Sequence, residues 1–201
     1  EDLAEFGFHR NAVAARDAIL PQAETTMVDY PFAWAGIFDR RIIDRGLAAF
    51  PEGLHTAEDR PWIWRLHLSD SAFAVVDAPA LLYRRGVSTS LTQVRDRRQL
   101  DFARAMAEAV AIVEADAEAA RFLPKITFSS LALSSHHLVR ARRMPRALRG
   151  EMRAGIVELL RALPHAEVRA AVRGLSGPRR RVLARVLRRA SRRGRRRPRP
   201  R

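Results

Sequence analysis

The sequence contains no cysteine, which excludes disulfides, thiolate zinc sites and a cysteine nucleophile, and fits a reducing compartment. It has no apolar run long enough to cross a bilayer, and the first residues lack the features of a signal peptide. No glycine-rich phosphate loop is present. These absences predict a cytoplasmic protein. Residues 1–10 contain no initiator Met and nothing that resembles the start of a domain, so we expect a fragment of a longer chain.

Acidic residues are missing from the C-terminal part of the chain, because none follows Glu167. Fifteen of the 37 basic residues lie there, which leaves 22 basic and 22 acidic residues in 1–167. The net charge of +15 therefore belongs to the last 34 residues. Lys125 is the single lysine, and such an arginine bias weakens any argument from arginine richness to phosphate recognition.

An acidic pair, Glu58-Asp59, precedes Arg60-Pro61-Trp62 in the middle of the chain. One interpretation is structural: Asp59 is the N-cap of a helix, worth about 1 kcal/mol, with Pro61 in the first turn. The other is chemical: a carboxylate at the start of a helix, beside a second carboxylate and a polar loop, is a candidate general base. The pair alone leaves both interpretations open.

The order of several short motifs around this pair resembles the C-terminal half of family 2 glycosyltransferases with the GT-A fold. In that family a buried strand leads to an Arg-Arg helix start, a glycine, an F-x-E segment and an E-D pair, and later to a strand that ends in Tyr-Arg before a serine-rich loop. The matching stretches here are residues 34–41, Gly46, residues 50–52, residues 58–59, residues 83–85, Ser88 and Ser90. The resemblance covers about residues 25–95.

The resemblance implies inverting transfer of a sugar from a nucleotide-sugar donor to a saccharide or lipid-linked acceptor, in surface polysaccharide or glycolipid assembly. Asp59 would deprotonate the acceptor hydroxyl, and Glu58 would shape the local field or contact the acceptor. Arg84 and Arg85 would hold the donor diphosphate. For the arginines, a solvated strand end is the structural alternative.

The remaining predicted substrate contacts are Trp34, Trp62 and Ser88. Trp34 is followed by Ala35 and Gly36, which leaves room for a bound molecule. Trp62 and Trp64 point to different faces of one helix, so we expect at least one in the core and the other as a sugar-stacking wall. Ser88 belongs to the serine-rich loop.

The family also has an upstream nucleotide-binding unit that ends in an Asp-x-Asp motif for a divalent metal, Mg or Mn. Neither is present here. We therefore expect the metal in the complete enzyme, with ligands outside this chain, and no activity from the chain alone. His55 and Asp59 are four residues apart, but one histidine and one carboxylate are a weak metal signal.

The predicted fold is α/β, a partial GT-A-like mixed sheet with helices over residues 1–93. An α-helical extension over 94–177 and a basic tail over 178–201, disordered in its last part, follow. Strands are expected at 32–38, 72–76 and 80–83. Apolar spacing predicts helices at 11–20, 60–69, 94–115, 122–143, 146–162, 165–174 and 178–190, and a short helix capped by Asp39. Disorder is expected from Arg188 onward.

A second function comes from the arginine-rich C-terminus, which would bind any polyanion. Anionic lipid adds about 1 kcal/mol for each arginine near a membrane surface. The region lacks interleaved aromatic residues and a recognition module, so specific nucleic-acid binding is not expected. This alternative is a protein that binds a membrane surface without catalysis, or an enzyme held peripherally at the inner face of the membrane.

Overall fold

A computed structural model describes residues 12–76 and 94–194, and their side chains as far as Arg188. The described residues are mostly helical. The strands are β1 (Val13–Ala14) and β2 (Ala72–Phe73), and the α-helices are α1 (Arg40–Asp44), α2 (Asp59–Leu68), α3 (Asp101–Glu114), α4 (Ala119–Arg140), α5 (Arg146–Ala162), α6 (His165–Gly174) and α7 (Gly177–Gly194). Five 3₁₀ turns cover Ala15–Ile19, Met27–Asp29, Ala33–Ala35, Arg97–Leu100 and Ala141–Arg143.

The sheet of the described residues has two strands, β1 and β2, which pair antiparallel with Val13 opposite Phe73. The predicted α/β layout is thus met only in part. The predicted strand at 72–76 is reduced to β2, and the predicted helix at 11–20 is instead β1 and a 3₁₀ turn. The strand predicted at 80–83 lies outside the described residues.

The strand predicted at 32–38 is wrong. This segment forms a 3₁₀ turn at Ala33–Ala35. Its backbone groups bond locally, Ala33 N to Pro31 O at 3.1 Å and Ala35 N to Phe32 O at 2.9 Å. Ile37 is fully exposed, so the apolar residues of the segment do not mark a buried strand. Apolar composition without a pairing partner is not enough for a strand.

Helix α3 lies at the centre of the helical part and contacts α2, α4 and α5. One face of it is buried, at positions that recur every three or four residues: Phe102, Ala105, Met106, Ala109, Val110 and Val113. The two alanines let neighbouring helices approach closely. An added Cβ at Gly155 of α5 would lie 3.1 Å from the Cβ of Ala103, so the α3–α5 contact has little room for a larger side chain.

The helices predicted from apolar spacing are the most accurate part of the sequence analysis. Helices α5 and α6 have the predicted bounds, and α2 differs by one residue at each end. Helix α4 begins at Ala119, earlier than expected, so Pro124 lies in its second turn. The cap at Asp39 is confirmed, because its Oδ1 accepts a hydrogen bond from Arg41 N at 2.9 Å. Ile43 of α1, expected to pack inward, is exposed.

The first part of the basic C-terminal region is helical, since α7 extends from Gly177 to Gly194. Leu183 is buried in the core, and Val182, Val186 and Leu187 pack against it. The helix predicted at 178–190 is therefore confirmed, and the onset of disorder at Arg188 is too early. Residues 195–201 lie outside the described range. No helix in the described ranges is both long and apolar enough to cross a membrane.

A buried ion pair joins α4 to the turn at Met27–Asp29. Lys125 is 1% exposed, and its Nζ lies 2.6 Å from Asp29 Oδ2 and 2.6 Å from Glu24 O. Asp29 Oδ1 accepts from Ser129 Oγ at 3.0 Å, and Asp29 Oδ2 accepts from Thr26 N at 3.0 Å. Both charges are thus paired and hydrogen-bonded, as buried charges require.

Replacing Lys125 with Met should destabilise the protein by about 2–3 kcal/mol, because it leaves the Asp29 carboxylate in a partly buried site without its counter-charge. Urea denaturation measures the change. Arg97→Gln is the matched control: Arg97 and Glu151 also lie 2.6 Å apart, but both side chains are exposed, so a loss of no more than about 0.5 kcal/mol is expected. Equal losses in the two variants would contradict the structural role of the buried pair.

Candidate functional site

The loop of residues 50–58 holds the acidic pair against α3. Thr56 Oγ1 donates to Arg98 O at 2.6 Å. Both His55 N and His55 Nδ1 lie 3.0 Å from Asp101 Oδ2. These contacts join residues 42 and 46 positions apart in the chain, so the loop is fixed at the end that leads into α2.

The backbone is strained immediately before the acidic pair. Ala57 has φ of 62°, in the left-handed region that a residue with a Cβ rarely adopts. Such a conformation costs about 1–3 kcal/mol and is found most often at functional sites. It is held here by the Thr56 contact on one side and by α2 on the other, where Arg60 N donates to Ala57 O at 3.0 Å.

Asp59 is not the helix cap that the sequence suggested. It is the first residue of α2, and Glu58 occupies the N-cap position without a capping hydrogen bond from its side chain. The physical reason is that Glu58 already has helical backbone angles, whereas a capping side chain needs an extended backbone. The carboxylate of Asp59 accepts instead from backbone N–H groups inside the first turn, those of Asp59 and Arg60.

Burial raises the pKa of Asp59 to about 6. Desolvation is the largest cause, Arg60 opposes it, and the neighbouring charge of Glu58 adds to it. The counter-charge beside it, Arg60 Nε, is 3.9 Å from Asp59 Oδ1, too far for a good hydrogen bond. The Asp59 side chain nevertheless keeps 36% of its exposure, so solvent reaches it.

Arg60 is largely buried beside Asp59, and burial lowers its pKa. Its Nη1 donates to Asp29 O at 3.3 Å. Through Asp29 the start of α2 is thus connected to the buried pair with Lys125. This network fixes the position of the acidic pair relative to α4.

The two tryptophans of α2 are both core residues. Trp62 is 3% exposed, with Phe50 stacked on it at 5.4 Å and Phe38 edge-on at 5.7 Å. Trp64 is equally buried. The predicted substrate contact of Trp62 is therefore corrected, because its faces are covered by other rings. The exposed ring of this stack is Phe50, which is 43% exposed.

Trp34 is 45% exposed and lies at the end of a row of three rings. The centroids of Trp34 and Phe32 are 5.1 Å apart, and those of Phe32 and Tyr30 are 5.7 Å apart. Tyr30 directly follows Asp29, whose carbonyl accepts from Arg60. The predicted contacts Arg84, Arg85 and Ser88 lie outside the described residues.

The described residues contain no ligand set for the divalent metal that the resemblance implies. Within residues 12–76 and 94–194, no three histidine or acidic side chains are grouped closely enough to hold an ion. The weak His55–Asp59 pair of the sequence is also corrected, because His55 bonds to Asp101 instead.

Sequence reasoning missed several residues that hold the site. In the sequence, Phe50 stands out only as part of a motif. The contacts of His55 with Asp101 and of Arg60 with Asp29 join distant parts of the chain, so local patterns do not predict them. One signal was available: Lys125 is the single lysine in an arginine-rich chain. A compact ammonium suits a small buried site that a guanidinium would not fit.

Comparison of the chain with protein-family models, with curated proteins and with solved structures gave no match.

Asp59→Asn should make the protein more stable at pH 7. The folded state raises the pKa from 3.8 to about 6, so the ionised form opposes folding. A shift of about two pKa units corresponds to ~3 kcal/mol, and screening of this partly exposed group reduces the gain to about 1 kcal/mol.

The stabilising effect should depend on pH in one direction. Because protonated Asp59 already favours folding, the advantage of asparagine should shrink as the pH falls through about 6 and vanish below 3.8. Urea denaturation between pH 4 and 7, roughly the range of these two pKa values, measures it. A variant that is less stable at pH 7 would instead assign Asp59 a structural role.

Proposed function

We propose that this chain carries the acceptor side of an inverting glycosyltransferase site, with Asp59 as the general base. The donor is a nucleotide sugar, and the acceptor is a saccharide or lipid-linked hydroxyl compound used in surface polysaccharide or glycolipid assembly. Glu58 raises the basicity of Asp59. The proposal places the reaction in the cytoplasm, at the inner face of the membrane.

In the proposed reaction the Asp59 carboxylate removes the proton of the acceptor hydroxyl. The acceptor oxygen attacks the anomeric carbon from the side opposite the leaving group, and the bond from that carbon to the nucleoside diphosphate breaks. The products are the inverted glycoside, the nucleoside diphosphate and a protonated Asp59, which returns its proton to solvent. General-base catalysis of this kind contributes about 10²–10⁴-fold.

The observation that carries the proposal is the state of the Asp59 carboxyl. Its pKa of about 6 leaves it mostly ionised at pH 7 yet more basic than an ordinary aspartate, which is what a general base requires. It combines this basicity with solvent access and a strained neighbour, Ala57. The carboxylate accepts hydrogen bonds from the backbone N–H groups of Asp59 and Arg60, which alone would lower its pKa, but burial outweighs them.

Substrate contacts in the proposal come from exposed rings and from residues of the serine-rich segment. Phe50 and Trp34 offer exposed aromatic surface for a sugar ring. Arg84 and Arg85 hold the donor diphosphate, and Ser88 contacts the substrate. The ligands of the divalent metal lie outside this chain in the proposal, and no step of the base chemistry depends on the metal.

Sugar transfer by the natural gene product tests the proposal. Release of nucleoside diphosphate from a panel of nucleotide sugars is measured with a membrane extract as acceptor. Asp59→Asn should lower kcat by about 100-fold or more with little change in KM, because the base acts in the transition state. The wild-type rate should fall as the pH drops below about 6, the pKa of Asp59.

Asp44→Asn is the control, since Asp44 is an exposed residue of α1 whose nearest partner, Arg40, lies 3.9 Å away. It should keep full activity. Unchanged transfer by Asp59→Asn would remove Asp59 as the base, and absence of nucleoside diphosphate release from every donor would remove the proposed reaction.

We propose as a second function that α7 holds the protein at an anionic surface, because Arg181, Arg185 and Arg188 lie on the face opposite its apolar residues. Leu183 and its apolar neighbours pack on the core. Five arginines are exposed: Arg179, Arg180, Arg181, Arg185 and Arg188. A folded basic face binds anionic lipid with less loss of entropy than a disordered segment.

Deleting this region is not a clean test, because Leu183 belongs to the core. The better variant changes Arg180, Arg181 and Arg185 to Gln and keeps the helix. It should lose about 3 kcal/mol of binding to vesicles that contain phosphatidylserine, about 1 kcal/mol for each arginine. Vesicle co-sedimentation measures it, and unchanged binding would contradict a membrane role for α7.

A further inference from the structure

Helices α6 and α7 form a corner that packs on α4. Their ends are separated by two residues. A Cβ at Gly174, the last residue of α6, would lie 3.3 Å from the ring of Phe128 in α4. Burial lowers the pKa of His136, further along α4, and Arg140 and Arg179 lower it further, so Arg179 of α7 lies near this histidine. The turn between α6 and α7 therefore lies against the second half of α4.

The outer surface of this corner is basic. Arg169 and Arg173 are one turn apart on α6, Arg180 and Arg181 lie in the first turns of α7, and all four side chains are exposed. In the part of the chain that the structure describes, none of these four corner arginines is paired with a carboxylate. The corner thus presents positive charges that the described fold does not neutralise.

The preference of this chain for arginine over lysine does not explain the corner. An exposed arginine elsewhere in the fold, Arg98, has a carboxylate partner, since its Nη2 lies 2.7 Å from Asp96 Oδ2. The corner differs because its helices lack acids: no Asp or Glu occurs in residues 119–150 or after Glu167. An arginine bias changes the kind of basic residue and does not remove acidic ones. The separation of charge is therefore a feature of this surface.

An exposed apolar side chain lies beside the corner. Val139 is 48% exposed, and it follows His136 by three residues, on the same side of α4. Because Arg179 is close enough to His136 to influence its pKa, Val139 lies near the start of α7. The surface thus combines guanidinium groups with a neighbouring apolar side chain.

This combination favours an anionic bilayer over a nucleic acid. At a bilayer interface, arginines stay among the headgroup phosphates while an apolar neighbour enters the boundary with the acyl chains. A nucleic acid offers no comparable place for Val139, and proteins bind single strands largely by stacking the bases on aromatic rings. No Phe, Tyr or Trp follows Phe128 in the sequence.

We propose that the α6–α7 corner is the face that lies on an anionic bilayer, with the four corner arginines at the headgroups and Val139 in the interfacial layer. This assignment rests on the second function proposed above, which places α7 at an anionic surface, and it adds α6 and the end of α4 to the contact. Contacts from more than one helix resist rotation of the protein about the axis of α7, so the bound protein has one orientation.

The double variant Arg169→Gln, Arg173→Gln tests α6 separately from α7, and Arg40→Gln, Arg45→Gln is the matched control. Each removes two exposed arginines and hence the same charge. Binding to phosphatidylcholine vesicles that contain phosphatidylserine is measured by co-sedimentation. The α6 variant should bind about 30-fold more weakly, about fivefold for each arginine. The control should bind less than about threefold more weakly, through the change in net charge alone.

Val139→Asn separates a bilayer from a nucleic acid. It should weaken vesicle binding about three- to fivefold, because the apolar side chain loses its place at the acyl boundary. Binding of a single-stranded oligodeoxynucleotide should not change. Unchanged vesicle binding by Val139→Asn, or a dependence on Arg169 and Arg173 that is seen with the oligonucleotide and not with the vesicles, would overturn the assignment to a bilayer.

The outcomes also separate this inference from the second function. If the α7 variant described above loses vesicle binding while the α6 variant behaves like its control, the corner is wrong and the role of α7 stands. If the wild-type protein does not bind the vesicles, both are wrong. Urea denaturation of each variant checks that the fold is intact.

Discussion

The burial of α2 is the constraint on which the site depends. Four successive residues of this helix, Pro61 to Trp64, are buried, so its first turn has no face that points entirely to solvent. Burying each large apolar side chain stabilises the fold by about 1.5–3 kcal/mol. That gain exceeds the roughly 1 kcal/mol of stability that the ionised Asp59 costs at pH 7. The charged start of the helix is therefore partly buried together with its apolar residues.

The fold compensates its partly buried charges unequally. Lys125 has a carboxylate and a carbonyl within 2.6 Å, and Arg60 reaches the carbonyl of Asp29. Asp59 has a cation at 3.9 Å, hydrogen bonds from the backbone N–H groups of Asp59 and Arg60, and a repelling neighbour, Glu58. A carboxylate whose pKa is raised by burial in spite of these contacts is the pattern expected where stability has been given up for reactivity. That inequality, more than the acidic pair itself, supports a chemical role for Asp59.

Local patterns in the sequence were sufficient for the helices and insufficient for the rest. Apolar spacing of three and four residues predicted α5 and α6 to the residue, because a helix satisfies its own backbone hydrogen bonds. A strand needs a partner that the local sequence does not identify, and the segment around Trp34 was misassigned for that reason. Similarly, Asp59 is recognised from its neighbours in the chain. Trp62, in contrast, is covered by Phe50 and Phe38, 12 and 24 residues away, and the Asp29–Lys125 pair joins residues 96 positions apart.

The C-terminal region shows how spacing can outweigh composition. Its arginine content predicts disorder, yet apolar residues at the spacing of Val182, Leu183, Val186 and Leu187 give α7 one buried face, and that burial orders the arginines on the opposite face. Burial lowers the pKa of His136, and Arg140 and Arg179 lower it further, so the start of α7 lies near the end of α4. The exposed arginines of α7 therefore give this side of the protein a basic face with a fixed orientation. An anionic surface would therefore orient the protein as well as attract it.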